Sequence, residues 1–251
     1  MTPILEVKHL TMRFGGLLAV DDVSFSANEG EIRGLIGPNG AGKSTTFKMI
    51  AGFLSPTSGE VLFRSNNITN QKPSRIASAG VVRTFQETTL FQELTVFENV
   101  LIGTHKQAHT NIISAVLGLD RQKQNEAIEA TTDVLEFMGL LERKEQLAAE
   151  LPLGLQRTLA VAISLAAKPK LLLMDEPFAG MNPEETQHMM ELTERVRESG
   201  ISIVLVEHNM KAVMGLCDRL VVLNFGTVLD DGTPDQVRHN PNVIQAYLGG
   251  G

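Results

Sequence analysis

A chain of 251 residues, 43% hydrophobic and 20% charged, is long enough for one large domain or two small ones and is ordinary for a globular protein. Its formal net charge of −7 argues against non-specific binding to DNA or RNA, which calls for a basic face, and its one cysteine leaves no disulfide framework or cysteine metal site within the chain. The opening MTPILEVKHL lacks a basic-then-apolar signal pattern and the longest apolar runs are strand-length, so a soluble protein of a reducing compartment with at most peripheral membrane contact is expected.

Taken in chain order, ILEVKHLTMRF and VDDVSFSA read as short strands bounded by Gly, Asn and Asp. GEIRGLIG reads as a buried strand that enters a Gly-rich loop and then a helix, GKSTTFKMIAGFL. SGEVLFRSNNIT has the pattern of a hairpin. From about residue 90 to 165 the pattern changes, with THKQAHTNIISAVLGLDRQKQ expected to be helical and NEAIEATTDVLEFMGLLERKEQLAAEL carrying apolar residues at helical spacing. Alternation then returns: KLLLMDEP is a strand, NPEETQHMMELTERVRESG a capped amphipathic helix and ISIVLVEHN a strand. MKAVMGLCDRL reads as helix and LVVLNFGTVLDDG as a strand pair with a turn. The whole predicts a parallel α/β core interrupted by a helical insertion.

Three stretches carry chemistry. GPNGAGKST, residues 37–45, fits G-x-x-x-x-G-K-[ST] at every fixed position. Glycines let Gly37, Pro38, Asn39, Gly40, Ala41 and Gly42 curl with their N–H groups around a polyphosphate, and the following helix N-terminus adds positive potential. Lys43 would reach the β and γ phosphates, Ser44 would ligate Mg²⁺, and Thr45 completes the loop. The absence of an NKxD guanine-reading segment, and the long interval from Lys43 to Asp175, favour ATP over GTP. LLLMDEP ends a buried strand in two acids, where Asp175 would hold the Mg²⁺ shell and Glu176 would polarise the attacking water as general base. His208, after ISIVLVE, falls at another strand's carboxyl end, where α/β sites gather. Alone, the acid pair is more often plain surface and the histidine a loop residue; the phosphate loop gives both their meaning.

GPNGAGKST, RTFQ, LPLGLQR, LLLMDEP and VLVEH occur together in the order and spacing of ABC-transporter nucleotide-binding subunits, and the chain resembles that family along essentially its whole length. The resemblance implies a P-loop NTPase with a RecA-like core, an N-terminal antiparallel β-subdomain and an inserted helical subdomain: one domain over 1–251, with core segments 1–86 and 158–251 and a helical signature segment 87–157. It implies that Phe14 stacks on adenine and that Gln86 senses Mg²⁺ and the γ-phosphate and signals to a membrane subunit. Without the family, Phe14 would be a core or strand-end aromatic and Gln86 a loop polar residue. AGMN, 179–182, lies where the family has a dimer-contacting loop in which aspartate is common, and Asn182 stands in that place.

A narrower resemblance, carried by MRFGGLLAV, the lengthened region from Thr104 to Arg121, EPFAGMNPEET and GTPDQVRHNPNVIQAYLG, is to the ATP-binding subunits of branched-chain amino-acid importers. It implies ATP hydrolysis with Mg²⁺ at a site shared head to tail with a second ATPase subunit, identical or similar. It also implies transmembrane permease subunits, a periplasmic solute-binding protein acting indirectly, and residence on the inner face of the cell membrane. The same motifs also suit a lipid or polysaccharide exporter subunit, or a regulatory subunit that binds nucleotide without hydrolysing it.

The last possibility turns on LPLGLQR, where the family's usual form is LSGGQ. Pro152 replaces the serine, Leu153 the first glycine and Leu155 the glutamine, while Gly154, Gln156 and Arg157 remain in pattern. Loss of the serine hydroxyl would remove one hydrogen bond to a partner's γ-phosphate, worth about 1–3 kcal/mol if uncompensated. Pro152 is expected in the first helical turn, whose N–H groups lack partners anyway. Backbone N–H groups near Gly154 and the helix dipole would still meet a phosphate.

Overall fold

The computed structural model describes residues 3–84, 90–104 and 121–248. Two sheets form the frame. Strands β1 (Pro3–Phe14) and β2 (Leu17–Asn28) pair antiparallel, with β4 (Ser58–Phe63) and the short β5 (Asn66–Asn67) completing a sheet in the order β2-β1-β4-β5. β3 (Ile32–Ile36) belongs to a second, six-stranded sheet with β6 (Val81–Arg83), β7 (Leu171–Asp175), β8 (Ser202–Val206), β9 (Arg219–Asn224) and β10 (Thr227–Gly232), ordered β10-β9-β3-β8-β7-β6. All its pairings are parallel except the β9–β10 hairpin at one edge.

The central strands are buried on both faces, so they read in sequence as continuous apolar runs. Their alternate residues serve two cores. Leu172, Met174, Ile203 and Leu205 face a helical layer, while Leu171, Leu173, Val204 and Val206 face Phe47, Ile50 and the antiparallel sheet. The inner layer is α1 (Lys43–Ile50). The outer layer holds α3 (Val96–Thr104), α4 (Arg121–Phe137), α5 (Leu153–Ala166), α6 (Pro183–Glu198) and α7 (Met210–Leu216), with α8 (Pro234–His239) and α9 (Pro241–Leu248) following. α2 (Pro73–Ala79) precedes β6. Val100, Leu135 and Leu151 of the helical segment share one buried cluster with the sheet.

Three helices differ from the sequence expectation, and two elements had no sequence signal. The stretch with helical spacing, NEAIEATT…LAAEL, is α-helix only to Phe137; Gly139 then turns at φ 70°, and two single-turn 3₁₀ helices, Leu141–Arg143 and Ala148–Glu150, carry the chain onward. MKAVMGLCDRL is helical only to Leu216, because β9 begins at Arg219. Pro152 sits at the N-cap of α5 rather than inside its first turn, with extended backbone and no side-chain cap. α2 and β6 have no periodic signal of their own; three residues of β6 are strand only because β7 pairs with them. The segment THKQAHTNIISAVLGLDRQKQ lies mostly outside the described residues.

Candidate nucleotide-binding and hydrolysis site

The register brings the chemistry to one edge. Val206 lies between Leu35 of β3 and Asp175 of β7, so the carboxyl ends of β3, β8 and β7 are neighbours. The phosphate loop, the acid pair and His208 leave the sheet there, at the crevice where α/β folds bind ligands.

The loop's shape requires glycine at both shoulders. Gly37 has φ 146°, and a Cβ on it would lie 2.1 Å from the Leu223 carbonyl oxygen; Gly42 has φ 98°, and its Cβ would lie 2.7 Å from the Ala19 carbonyl oxygen. Gly42 serves as the N-cap of α1, so the loop's N–H groups and the helix N-terminus converge. The Lys43 ammonium folds back over the loop, donating to the carbonyls of Gly37 (2.7 Å) and Pro38 (2.9 Å). Burial pulls its pKa below the usual lysine range, and the carboxylates of Glu176 and Asp175 oppose that.

A cavity of about 340 Å³ opens above this loop. Its walls include Asn39, Gly40, Ala41, Gly42, Lys43, Ser44 and Thr45, facing Glu176 and His208, with Phe14 at the rim. Phe14 is 45% exposed at the end of β1, a flat apolar face available for stacking. Gly37 and Pro38 shape the loop from behind and act through their backbone.

Asp175 is the last residue of β7 and has a fully buried carboxylate. Its Oδ2 accepts from Arg83 Nη2 at 2.5 Å, while its Oδ1 has no hydrogen-bond partner among the described residues. A buried unpartnered carboxylate oxygen is costly, and a hydrated cation is the partner its position invites. Among the described residues no group of three or more His, Cys, Asp or Glu side chains could hold a metal alone. The donors therefore fit Mg²⁺ bound through one carboxylate, a hydroxyl and substrate phosphates rather than a protein cage.

Glu176 opens the next turn at φ 49°, a left-handed backbone that costs a non-glycine residue about 1–2 kcal/mol. Its N–H donates to the Val206 carbonyl at 2.9 Å, and its Oε1 lies 3.2 Å from His208 Nε2. The histidine thus faces the acid, as a base and its orienting partner would.

The other expected residues fall elsewhere. Gly154 and Gln156 of α5 do not line this cavity. Gly154 packs against α6, where a Cβ would come within 2.7 Å of Glu185 Oε1, and Gln156 donates through Nε2 to the Leu151 carbonyl at 2.9 Å. Asn182 is the N-cap of α6: its Oδ1 accepts from the N–H groups of Glu184 and Glu185, and the Glu185 carboxylate accepts from the Asn182 N–H. Gln86 lies outside the described residues.

Two residues were not read from the sequence. Arg83, inside the RTFQ stretch quoted for its glutamine, is the ion partner of Asp175. Glu207, directly before His208, is 3% exposed and accepts three backbone N–H bonds. An acid placed directly after an apolar strand was the available signal for Glu207.

A strand–GPNGAGKST–helix unit inside a mostly parallel sheet defines the class as a P-loop nucleotide-binding protein. The family described as ABC transporter matches residues 20–179, and that described as Branched-chain amino acid ATP-binding cassette transporter matches residues 231–251. The chain belongs to the ABC transporter family, as an ATP-binding subunit with the ATPase fold. It is 46% identical over 250 residues to the high-affinity branched-chain amino acid transport ATP-binding protein LivG of Salmonella typhimurium (strain LT2), covering 98% of each chain. Identity is 44% over 250 residues, again 98% of each, to the corresponding protein BraF of Pseudomonas aeruginosa. A crystal structure of the ADP conformation of an ATP-binding cassette of an ABC transporter superposes with a TM-score of 0.89 at 32% identity, covering 99% of this chain and 100% of that one.

Proposed function

We propose that this chain is the ATP-hydrolysing subunit of an importer for branched-chain amino acids or related small amphipathic solutes. The observation that carries the hydrolytic part is one cavity in which the phosphate loop, Phe14, Glu176 and His208 meet. Phe14 stacks on the adenine and the loop amides with Lys43 bind the phosphates. When Mg²⁺ is bound, it neutralises developing phosphate charge; Ser44 and Asp175, with Gln86, are the residues that would hold it. Glu176 accepts a proton from the attacking water, and His208 orients Glu176 and the γ-phosphate. The solute class is supported by the names of the LivG and BraF relatives and by the carboxyl-terminal family match.

A shared site is the reading for Gly154 and Gln156. Neither lines the cavity of its own chain, so α5 would meet the nucleotide of a second ATPase subunit packed head to tail. A separate cavity of about 490 Å³ runs between the core and the helical segment, lined by Phe53, Val82, Phe91, Ile102 and Ile163 among others. Phe53 and Phe91 are each more than half exposed there. Such an apolar opening suits a helix of a permease subunit, which would hold the protein on the inner membrane face although no helix among the described residues is long and apolar enough to span a bilayer.

The test is ATP hydrolysis by the assembled transporter with its solute-binding protein. Leucine, isoleucine or valine should stimulate it, and Glu176→Gln should abolish it. Stimulation by other solutes alone would overturn the solute class, and a wild type as inert as Glu176→Gln would overturn the hydrolytic reading.

A further inference from the structure

Glu207 is a buried acid that the proposed chemistry does not use. It follows the last residue of β8 and is 3% exposed. Its Oε1 accepts from the Phe178 N–H at 2.9 Å, and its Oε2 accepts from the N–H groups of His208 at 2.7 Å and Asn209 at 2.9 Å. Phe178 lies two residues beyond Glu176 in the turn after β7, whereas His208 and Asn209 form the turn after β8. One side chain therefore joins the two turns that carry the candidate base and its histidine.

The connections close a ring. Glu176 is held to β8 through its N–H on the Val206 carbonyl and runs on to Phe178, whose N–H is bound by Glu207. Glu207 binds its neighbour His208, whose ring Nε2 returns to Glu176 Oε1 at 3.2 Å. Glu176 keeps its left-handed backbone, φ 49°, inside that ring. Strained conformations persist only where surrounding bonds over-determine them, and Glu207 supplies bonds on both sides. Neither a surface carboxylate nor an apolar residue could do this, because three N–H donors need two acceptor oxygens within one buried side chain.

We infer that Glu207 is a positioning residue for hydrolysis: it fixes the turn bearing Glu176 against the turn bearing His208, without itself touching nucleotide. The inference rests on the hydrolytic reading above. It concerns the rate of the chemical step and not nucleotide capture, because the phosphate loop and Phe14 lie on other elements.

Glu207→Gln tests it, being nearly the same size but having only one acceptor oxygen, with an amide N–H₂ in place of the other. In the assembled transporter the variant should lower kcat about tenfold or more, the scale of mispositioned acid–base groups, and leave KM for Mg-ATP within about twofold. In the isolated chain, amide hydrogen exchange should quicken at Phe178, His208 and Asn209, with the phosphate loop and the sheet unchanged. An unchanged kcat beside an inert Glu176→Gln control would overturn the inference while leaving the hydrolytic reading intact. Equal losses in nucleotide binding and kcat, or exchange that quickens throughout the sheet, would make Glu207 a structural residue only. A Glu176→Gln control as active as wild type would sink the hydrolytic reading, and the exchange experiment would still decide whether Glu207 joins the two turns.

Discussion

Lys43 makes the clearest case at the scale of single residues. Its ammonium bridges two loop carbonyls and lies near two carboxylates, in a place where an incoming polyphosphate would be its strongest partner. Lys43→Ala should weaken Mg-ATP binding roughly 10- to 100-fold, the worth of one or two charge-assisted hydrogen bonds, as read by equilibrium nucleotide binding. Cys217 gives a pH prediction of a different kind. Burial comes first among the causes that push its thiol from 9.0 up to about 12, and the residue is 6% exposed. A thiol whose folded pKa is raised keeps its proton while the unfolded chain loses it, so the stability it contributes is fully present below pH 9 and is lost as pH rises towards 12. Aromatic disulfide reagents at pH 8 should leave it unmodified in the folded protein and react in denaturant. The roles of Arg83 and Glu207 were not legible in the sequence, because each depends on a partner in a different element, Asp175 for one and Phe178 for the other.

At the scale of elements, α6 and the phosphate loop were readable because their signals are local. Asn-Pro-Glu-Glu before an amphipathic run is a helix start, and the structure closes it as a full capping box. Asn182→Ala should lower stability by about 1 kcal/mol in thermal unfolding, whereas Asn182→Asp should hold it near wild type. The Asn182 Oδ1 is already engaged in capping its own helix, which leaves the amide Nδ2 as the side-chain group for any contact across a dimer. In the loop, Gly37→Ala would drive a methyl into the Leu223 carbonyl; the expected result is a protein that fails to bind nucleotide or fails to fold, seen as lost ATP binding and low soluble yield. The helical spacing read through NEAIEATTDVLEFMGLLERKEQLAAEL does not make one continuous helix, for a physical reason. Apolar spacing persists through Leu141, Ala148 and Leu151, but Gly139 reverses the chain, and these residues reach the same core from separate short turns.

For the whole molecule, nucleotide is expected to act as a structural partner. A ligand bound only by the folded state at 100 times its Kd stabilises by about 2.7 kcal/mol, and a chain of this size shifts its melting point by about 2–4 °C per kcal/mol. Mg-ATP at that excess should therefore raise Tm by roughly 5–10 °C over nucleotide-free protein. Chelation of Mg²⁺ should reverse part of the rise, because Asp175 Oδ1 would again lack a partner. Absence of any shift would contradict the placement of the site.

Taken by itself, the sequence determined the class of protein, because the phosphate loop is a contiguous stretch whose backbone angles and charges are set by its own residues. It also determined the alternation of strands and helices, which follows from local hydrophobic period. Only the tertiary structure decided which residues share the crevice. Lys43, Glu176 and His208 are far apart in the chain and meet because β7 and β3 both pair with β8. It likewise placed Gly154 and Gln156 outside that crevice, with Gly154 packed on α6 and Gln156 bonded to Leu151. Non-local pairing is set by burial of the whole sheet, and no window of sequence contains that information.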